Sequence, residues 1–409
     1  MSRIAALLAV LAAALSASAL LQPGSSADAD VFAHAAAERS MPNDTGLSRV
    51  AGGWAQLQWN FAGSHGVNAP AAWSNLERAG APGGAGVTIA VLDTGVAYAD
   101  RGRFRRSPDL DPVTFVPGYD FVDDDPYPFD LNGHGTHVAS TIAEQTNNGV
   151  GLTGLAYGAR IMPVRVLDRL GRGDASTVAR GVRFASEHGA KIINLSLNFG
   201  SSITSERIPE LIDAIEAAFA RGVLVVAATG NDGRSSVAYP ARAEHVLAVG
   251  ATTEGGCLSA FSNRGPGLDV VAPGGGKDAP LRDDPLCSPA RWRRPVYQVT
   301  TARQRVDRFV ISGRFVGTSM ATPHVSATAA LIVASGVLGP NPAPAAIERR
   351  VEQTARDVGA PGYDARYGWG LVDAGAATTP ATTSARVSAG SIRRRAVPSV
   401  TYAEEPSPR

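Results

Sequence analysis

The sequence predicts an α/β fold, a three-layer sandwich with a mostly parallel central sheet flanked by helices. Three observations predict it. Short apolar runs recur at 87–92 (VTIAVL), 161–167 (IMPVRVL), 191–197 (KIINLSL), 224–228 (LVVAA) and 246–249 (VLAV), continuous rather than alternating. Runs of that kind suit strands covered on both faces. Between them, 134–144, 176–188 and 206–220 carry apolar residues at helical spacing. Strand and helix taking turns over such distances require right-handed crossovers.

Composition agrees. Of 409 residues, 44% are hydrophobic and 18% charged, with a formal net charge of +1. That balance builds a real core and excludes a disordered chain. It also implies no broad cationic surface, so nucleic acid is not an expected partner. Two cysteines, Cys257 and Cys287, exclude a disulfide-dense miniprotein and a four-cysteine zinc site.

Residues 1–27 read as a secretory signal peptide. Arg3 precedes an apolar run over 4–21, and Ala17-Ser18-Ala19 or Ser26-Ala27 offers cleavage-type residues. The run is near the lower limit for a membrane span. Its Ser and Ala interruptions favour removal, and the expected product is secreted, extracellular and without stable membrane association. Residues 28–41 form a short pro-segment or N-terminal extension, 42–376 the folded domain, and 377–409 a Thr/Ser/Pro/Arg-rich tail. Within that tail Arg393, Arg394 and Arg395 offer a surface contact.

Four residues stand where chemistry can converge. Asp93 ends the first buried run, in AVLDTGV, and a carboxylate at a parallel strand's C-terminal end faces the ligand crevice of such sheets. His134 opens a helical pattern in NGHGTHVAS, with Gly133 and Gly135 leaving its imidazole reachable. His134 and His137 also suit metal ligands, but no glutamate base or third histidine accompanies them. Asn231 follows the run ending in AATGND, where its amide can donate to an oxyanion and Gly230 keeps the approach open. Ser319 lies directly before a helix expected over 320–335, apolar nearly all round and therefore central, with Pro323 in its first turn. The positive end of that helix favours negative charge beside the serine. Singly, each residue also fits a turn or a cap. Together they supply an orienting carboxylate, a base, an oxyanion donor and a nucleophile.

The strings AVLDTGV at 90–96, NGHGTHVA at 132–139, INLSL at 193–197, AATGND at 227–232, GTSMATPHV at 317–325 and YGWGLVDA at 367–374 resemble those of the subtilisin-type serine proteases. The order of acid, base and nucleophile is also the one known for subtilisin. By that resemblance Asp93, His134 and Ser319 form the triad, and Asn231 with the Ser319 N–H forms the oxyanion hole. An esterase of the α/β-hydrolase type would need a G-x-S-x-G elbow and a different chain order, with the nucleophile ahead of the acid and the base. A relative that kept the fold but lost turnover would not need all four positions intact.

The resemblance implies a serine endopeptidase that needs no cofactor for catalysis and acts, as a monomer, on protein or peptide substrates. An extended substrate would lie beside Ser196, Leu197 and Asn198 and the segment containing Ala228 and Gly230, with Ala238 at the far end of the specificity pocket. Asn198 departs from the glycine common there, and the uncharged lining implies an apolar or mixed preference at that pocket. The resemblance also implies a structural calcium ion in the loop 145–152, with Asn148 giving a side-chain oxygen, Val150 and Leu152 giving carbonyls, Gln145 or Thr146 giving another and Asp109 a bidentate carboxylate. Either Asp44 or Gln58 would complete it from the N-terminal arm. A Cys257–Cys287 disulfide is expected from export. The stretch 274–311 is longer than usual, and its Arg291-Trp292-Arg293-Arg294 is expected to be a solvated loop rather than an anion site.

Overall fold

The computed structural model describes residues 41–110, 115–281, 284, 287, 293–303 and 305–380. The expected signal peptide, nearly all of the 28–41 segment, almost all of the tail, Arg291 and Trp292 lie outside the described residues. Each of the five apolar runs became a strand and two further strands join them, giving β1 Thr88–Asp93, β2 Tyr119–Asp120, β3 Arg160–Arg165, β4 Ile192–Leu195, β5 Leu224–Ala228, β6 Val246–Thr252 and β7 Val270–Pro273. They pair in the order β2-β3-β1-β4-β5-β6-β7, and every pair is parallel. The sequence did not announce β2 or β7. Each is short, and β2 rests on two residues that only β3 makes into a strand.

Period-two geometry sends neighbouring strand residues into different layers. Ile89, Val91, Leu224, Val226, Leu247 and Val249 face one core, while Ala90, Leu92, Val225, Ala227, Val246 and Ala248 face the other. The first core is closed by α1 Ala69–Arg78, α2 His134–Ala143, α5 Thr318–Ser335, α6 Pro344–Thr354 and the short α7 Ala374–Thr378; the second by α3 Ala175–Glu187 and α4 Pro209–Ala220. Three layers result, as expected. Helix starts follow local chemistry. The Asp174 side chain accepts the Thr177 N–H at 2.8 Å to cap α3. Pro209 begins α4 where its missing N–H costs nothing, which splits off the preceding turn Ser205–Arg207 from the single helix expected over 206–220.

Helix α5 differs from the expectation in one consequential way. It begins at Thr318, so Ser319 is its second residue and Pro323 its sixth, beyond the first turn. Proline there withholds the N–H that would bond the carbonyl four residues earlier, which is that of Ser319. The Ser196 hydroxyl donates to that carbonyl instead, at 2.8 Å. The same network continues inward: Asn194 Nδ2 donates to Ser196 Oγ at 2.9 Å, and Ser326 Oγ donates to Asn194 Oδ1 at 2.8 Å. Buried polar groups thus fix α5 against the end of β4.

The end of the long stretch before α5 carries an antiparallel pair of strands, β8 Gln298–Thr301 with β9 Phe309–Ser312. Arg293 and Arg294 are not simply solvated. Arg294 pairs with Glu254 at 2.5 Å and Arg293 Nε with Asp278 at 3.1 Å. Among the described residues, no helix is long and apolar enough to cross a membrane.

The two cysteines are joined, with a Cα–Cα distance of 4.8 Å across 30 residues of chain. A loop of that length closed in the unfolded chain is worth about 3–4 kcal/mol in the chain-entropy view. We predict that thiol titration of the unfolded, unreduced protein finds no sulfhydryl and that reduction lowers the thermal midpoint. Two titratable thiols would show that the bridge does not form in the protein.

Candidate active site

The sheet order reverses beside β1: the chain returns to β3 on one side and crosses to β4 on the other. Such a switch point leaves a crevice beyond the strands' C-terminal ends. Asp93 stands there, fully buried. Its Oδ1 accepts the Thr94 N–H and His134 Nδ1, each at 2.7 Å. A carboxylate can only accept, so Nδ1 carries the proton and Nε2 is left as a free base. Burial pulls the imidazole pKa down, but the charge and hydrogen bond of Asp93 more than offset this, and His134 titrates above its ordinary 6.5. Phe315 meets the ring edge-on, with centroids 5.4 Å apart.

The approach of α2 to β1 depends on glycine. A Cβ on Gly135 would lie 2.1 Å from the Gly95 carbonyl oxygen and 3.1 Å from Asp93 Oδ1. Gly133, the N-cap, adopts a φ of +97° that side chains disfavour. Sequence reasoning missed Asp130, which frames this corner. Its carboxylate accepts the N–H groups of Asn132 and Gly133, each at 2.8 Å, and that of Thr136 at 2.9 Å. It also accepts the hydroxyls of Thr94 at 2.9 Å and Thr136 at 2.6 Å. A lone Asp four residues before His134 reads as a loop residue; only its burial beneath the α2 N-terminus distinguishes it.

Ser319 and His134 line one cleft of about 530 Å³, together with Ser196, Leu197 and Asn198. Being second in α5, Ser319 has a backbone N–H with no intrahelical acceptor. Asn231 sits at the same helix start. Its Oδ1 accepts the Thr318 N–H at 2.8 Å and the Thr318 hydroxyl at 3.0 Å. The oxygen being occupied, its amide N–H groups are the ones left to donate. Ala228, Gly230 and Ala238 are buried and do not line this cleft. Gly230 and Ala238 are neighbours, and a Cβ on Gly230 would lie 3.3 Å from that of Ala238. Asn198 folds back, its Nδ2 donating to the Phe199 carbonyl at 3.1 Å. His137 takes no part: its Nε2 meets the Val296 carbonyl at 3.2 Å, and burial pushes its pKa down to about 3.

The loop after α2 gathers around Asp109. Asp109 Oδ1 accepts Asn148 Nδ2 at 2.7 Å, and Oδ2 accepts the Leu152 N–H at 2.8 Å. The Val150 N–H donates to Asn148 Oδ1 at 2.9 Å. From the N-terminal arm, Asp44 accepts the N–H groups of Asn147 and Asn148, each at 3.1 Å. Gln58 engages Thr153 instead, with Nε2 donating to its carbonyl at 2.8 Å. Burial pushes the Asp109 carboxyl up to about 6. Anionic oxygens and a glycine-punctuated backbone therefore converge, which suits a hard cation. One departure is plain: Asn148 turns its amide nitrogen, not its oxygen, to Asp109. A separate acidic cluster, Asp269, Glu348 and Glu352, brings carboxylate oxygens within 4.8 Å of one another and could coordinate a metal such as calcium.

Residues 84–370 match the model of the Subtilase family. The chain is 39% identical over 286 residues to a thermophilic serine proteinase of Bacillus sp. (strain AK1), covering 70% of this chain and 60% of that one. It is 38% identical to subtilisin BL of Lederbergia lenta, covering 72% and 91%, and 36% identical to thermitase of Thermoactinomyces vulgaris, covering 72% and 88%. In structure it is similar to a protease from Pseudoalteromonas arctica PAMC 21717, with a TM-score of 0.64 and 31% identity over 83% of this chain and 98% of the other. The chain belongs to the subtilase family, and with it to the serine-type endopeptidases.

The His134 geometry has a direct readout. In a titration followed by NMR, His134 should protonate above pH 6.5. Asp93→Asn removes the attracting charge and should lower that midpoint. An unchanged midpoint would mean that the pair does not form.

Proposed function

We propose that this chain is a secreted endopeptidase whose reaction runs on Ser319, His134, Asp93 and Asn231. The observation that carries the reading is the 2.7 Å contact of His134 Nδ1 with buried Asp93, in a cleft shared with Ser319. His134 Nε2 takes the Ser319 hydroxyl proton as Oγ attacks the peptide carbonyl, then gives that proton to the leaving amine, and the acyl-enzyme remains. Water repeats the cycle with the same base and frees the acid product. Asp93 holds the tautomer and stabilises the imidazolium. The Asn231 amide and the Ser319 N–H meet the oxyanion, at a helix terminus whose dipole favours negative charge.

An extended peptide or protein segment binds along Ser196, Leu197 and Asn198, through backbone hydrogen bonds. The uncharged Asn198 on the cleft wall supports an apolar or mixed preference in the specificity pocket. The 1–27 segment supports export, and the protein is read as a monomer.

Ser319→Ala should abolish casein hydrolysis while leaving the circular dichroism spectrum unchanged. Asn231→Ala should lower kcat by roughly 10²–10³ with a smaller effect on KM; that magnitude is borrowed from subtilisin, where loss of such a donor has this cost. Near-normal cleavage by purified Ser319→Ala would refute the assignment.

The second proposal is a structural calcium ion held by Asp109, Asn148, Val150 and Leu152, with Asp44 rather than Gln58 from the arm. The buried Asp109 carboxyl and the Asp44 carboxyl beside the same loop support it. Asn148 must then rotate its amide to present oxygen, and the Val150 N–H gives up its present acceptor. A bound cation supplies positive charge that ties the arm to the core, and it stabilises the fold by binding only the folded state. Chelation should lower the thermal midpoint and speed autolysis. An unchanged melting curve, with no calcium by elemental analysis, would reject the site.

A further inference from the structure

Among the described residues, the ionisable ones that line the cleft holding Ser319 are His134 and Arg172. Arg172 projects from the loop between β3 and α3. Around it the lining is neutral: Leu167, Leu170 and Val178 are apolar, and Asn132, Ser196 and Asn198 are uncharged. A charge on such a wall is less screened than one on an open surface.

The acids nearest in sequence are engaged elsewhere. Asp168 Oδ1 accepts the N–H groups of Leu170 at 2.8 Å and Arg172 at 3.0 Å. Asp174 Oδ1 accepts the Thr177 N–H at 2.8 Å and the Ser176 hydroxyl at 2.7 Å as the α3 cap. Neither lines the cleft. Asp168 does feel the Arg172 charge and offsets part of it. Among the described residues, no carboxylate forms an ion pair with the Arg172 guanidinium.

A second guanidinium acts on His134. Arg314 Nη2 donates to the Asn132 carbonyl at 2.9 Å, and its guanidinium lies over the Phe315 ring, 4.6 Å from the centroid. Asn132 is itself on the cleft wall. An anionic peptide in this cleft therefore meets Arg172 on its wall and Arg314 beside Asn132.

We infer that Arg172 is a specificity-determining residue that pairs with an aspartate or glutamate of the substrate, so that cleavage selects acidic side chains at one fixed position near the scissile bond. The inference rests on the peptidase reading above and adds the substrate class. Guanidinium and carboxylate match as planar, two-pronged partners. In an extended segment alternate side chains face opposite ways, so a single wall residue reads one position rather than several. An exposed but cleft-bound charged hydrogen bond of this kind should favour acidic over neutral peptides by roughly three- to tenfold in kcat/KM.

The test is a set of peptides cleaved at one known bond, with Asp, Gln or Lys placed in turn at each flanking position. The wild-type protein should prefer Asp at one position, and the preference should shrink with added salt. Within Arg172→Gln the Asp-to-Gln ratio at that position should fall towards unity, and within Arg172→Glu the Lys peptide should overtake the Asp peptide. Cleavage without any acidic preference, or a preference that survives both substitutions, would overturn this inference and leave the peptidase reading intact. Failure of the wild-type protein to cleave any peptide would instead refute the reading on which it rests.

Discussion

The burial of α5 is the constraint on which the remaining geometry depends. A helix apolar on nearly every face must lie in the core, and residues from Thr318 to Ile332 are buried along most of its length. It packs against β4, β5, β6 and β7, so its position is fixed by the sheet rather than by any loop. Its N-terminus then has to emerge where those strands end. Ser319 inherits that place, and with it the free backbone N–H and the positive helix end. Pro323 adds a specific consequence: the Ser319 carbonyl, released from the helix, is tied by Ser196 to the strand that also borders the cleft.

The opposite corner is governed by burial of charge. Asp93 and Asp130, distant in sequence, are linked through Thr94, which donates to both, and both are shielded from water. Each is made tolerable by donors: Thr94 and His134 for Asp93, and the turn before α2 with two threonines for Asp130. An unpaired buried carboxylate would be costly. The same accounting raises the His134 pKa, because protonation of the ring is favoured by a charge that water cannot screen. Orientation and electrostatics are here one device.

A third layer of organisation holds the N-terminal arm. Trp54 donates its indole N–H to the Pro42 carbonyl at 2.9 Å, Trp59 to that of Pro295 at 3.0 Å and Trp73 to that of Leu155 at 2.8 Å. Large apolar rings are buried while their single polar atom is satisfied. Together with Asp44 and Gln58, these contacts bring the arm, the loop after α2 and the segment before β8 onto one another. The disulfide closes the far end of that same segment.

Much of this was legible in the sequence, for a physical reason in each case. Parallel strands covered on both faces must be apolar without interruption, so 87–92 and 224–228 announced themselves. The four residues expected to carry the reaction stood in short glycine-flanked strings, because close approach and positive φ leave few alternatives to glycine. Elements whose existence depends on a partner stayed hidden: β2 exists through β3, and the β8–β9 pair lies in a stretch without clear periodicity. So did Asp130 and Arg172, which are ordinary polar residues in the chain and acquire meaning only from what surrounds them. Local pattern records what a residue must do for its own strand or helix. Burial, the offset of one charge by another, and which wall of a cleft a side chain occupies are properties of distant segments brought together, and only the tertiary structure decides those.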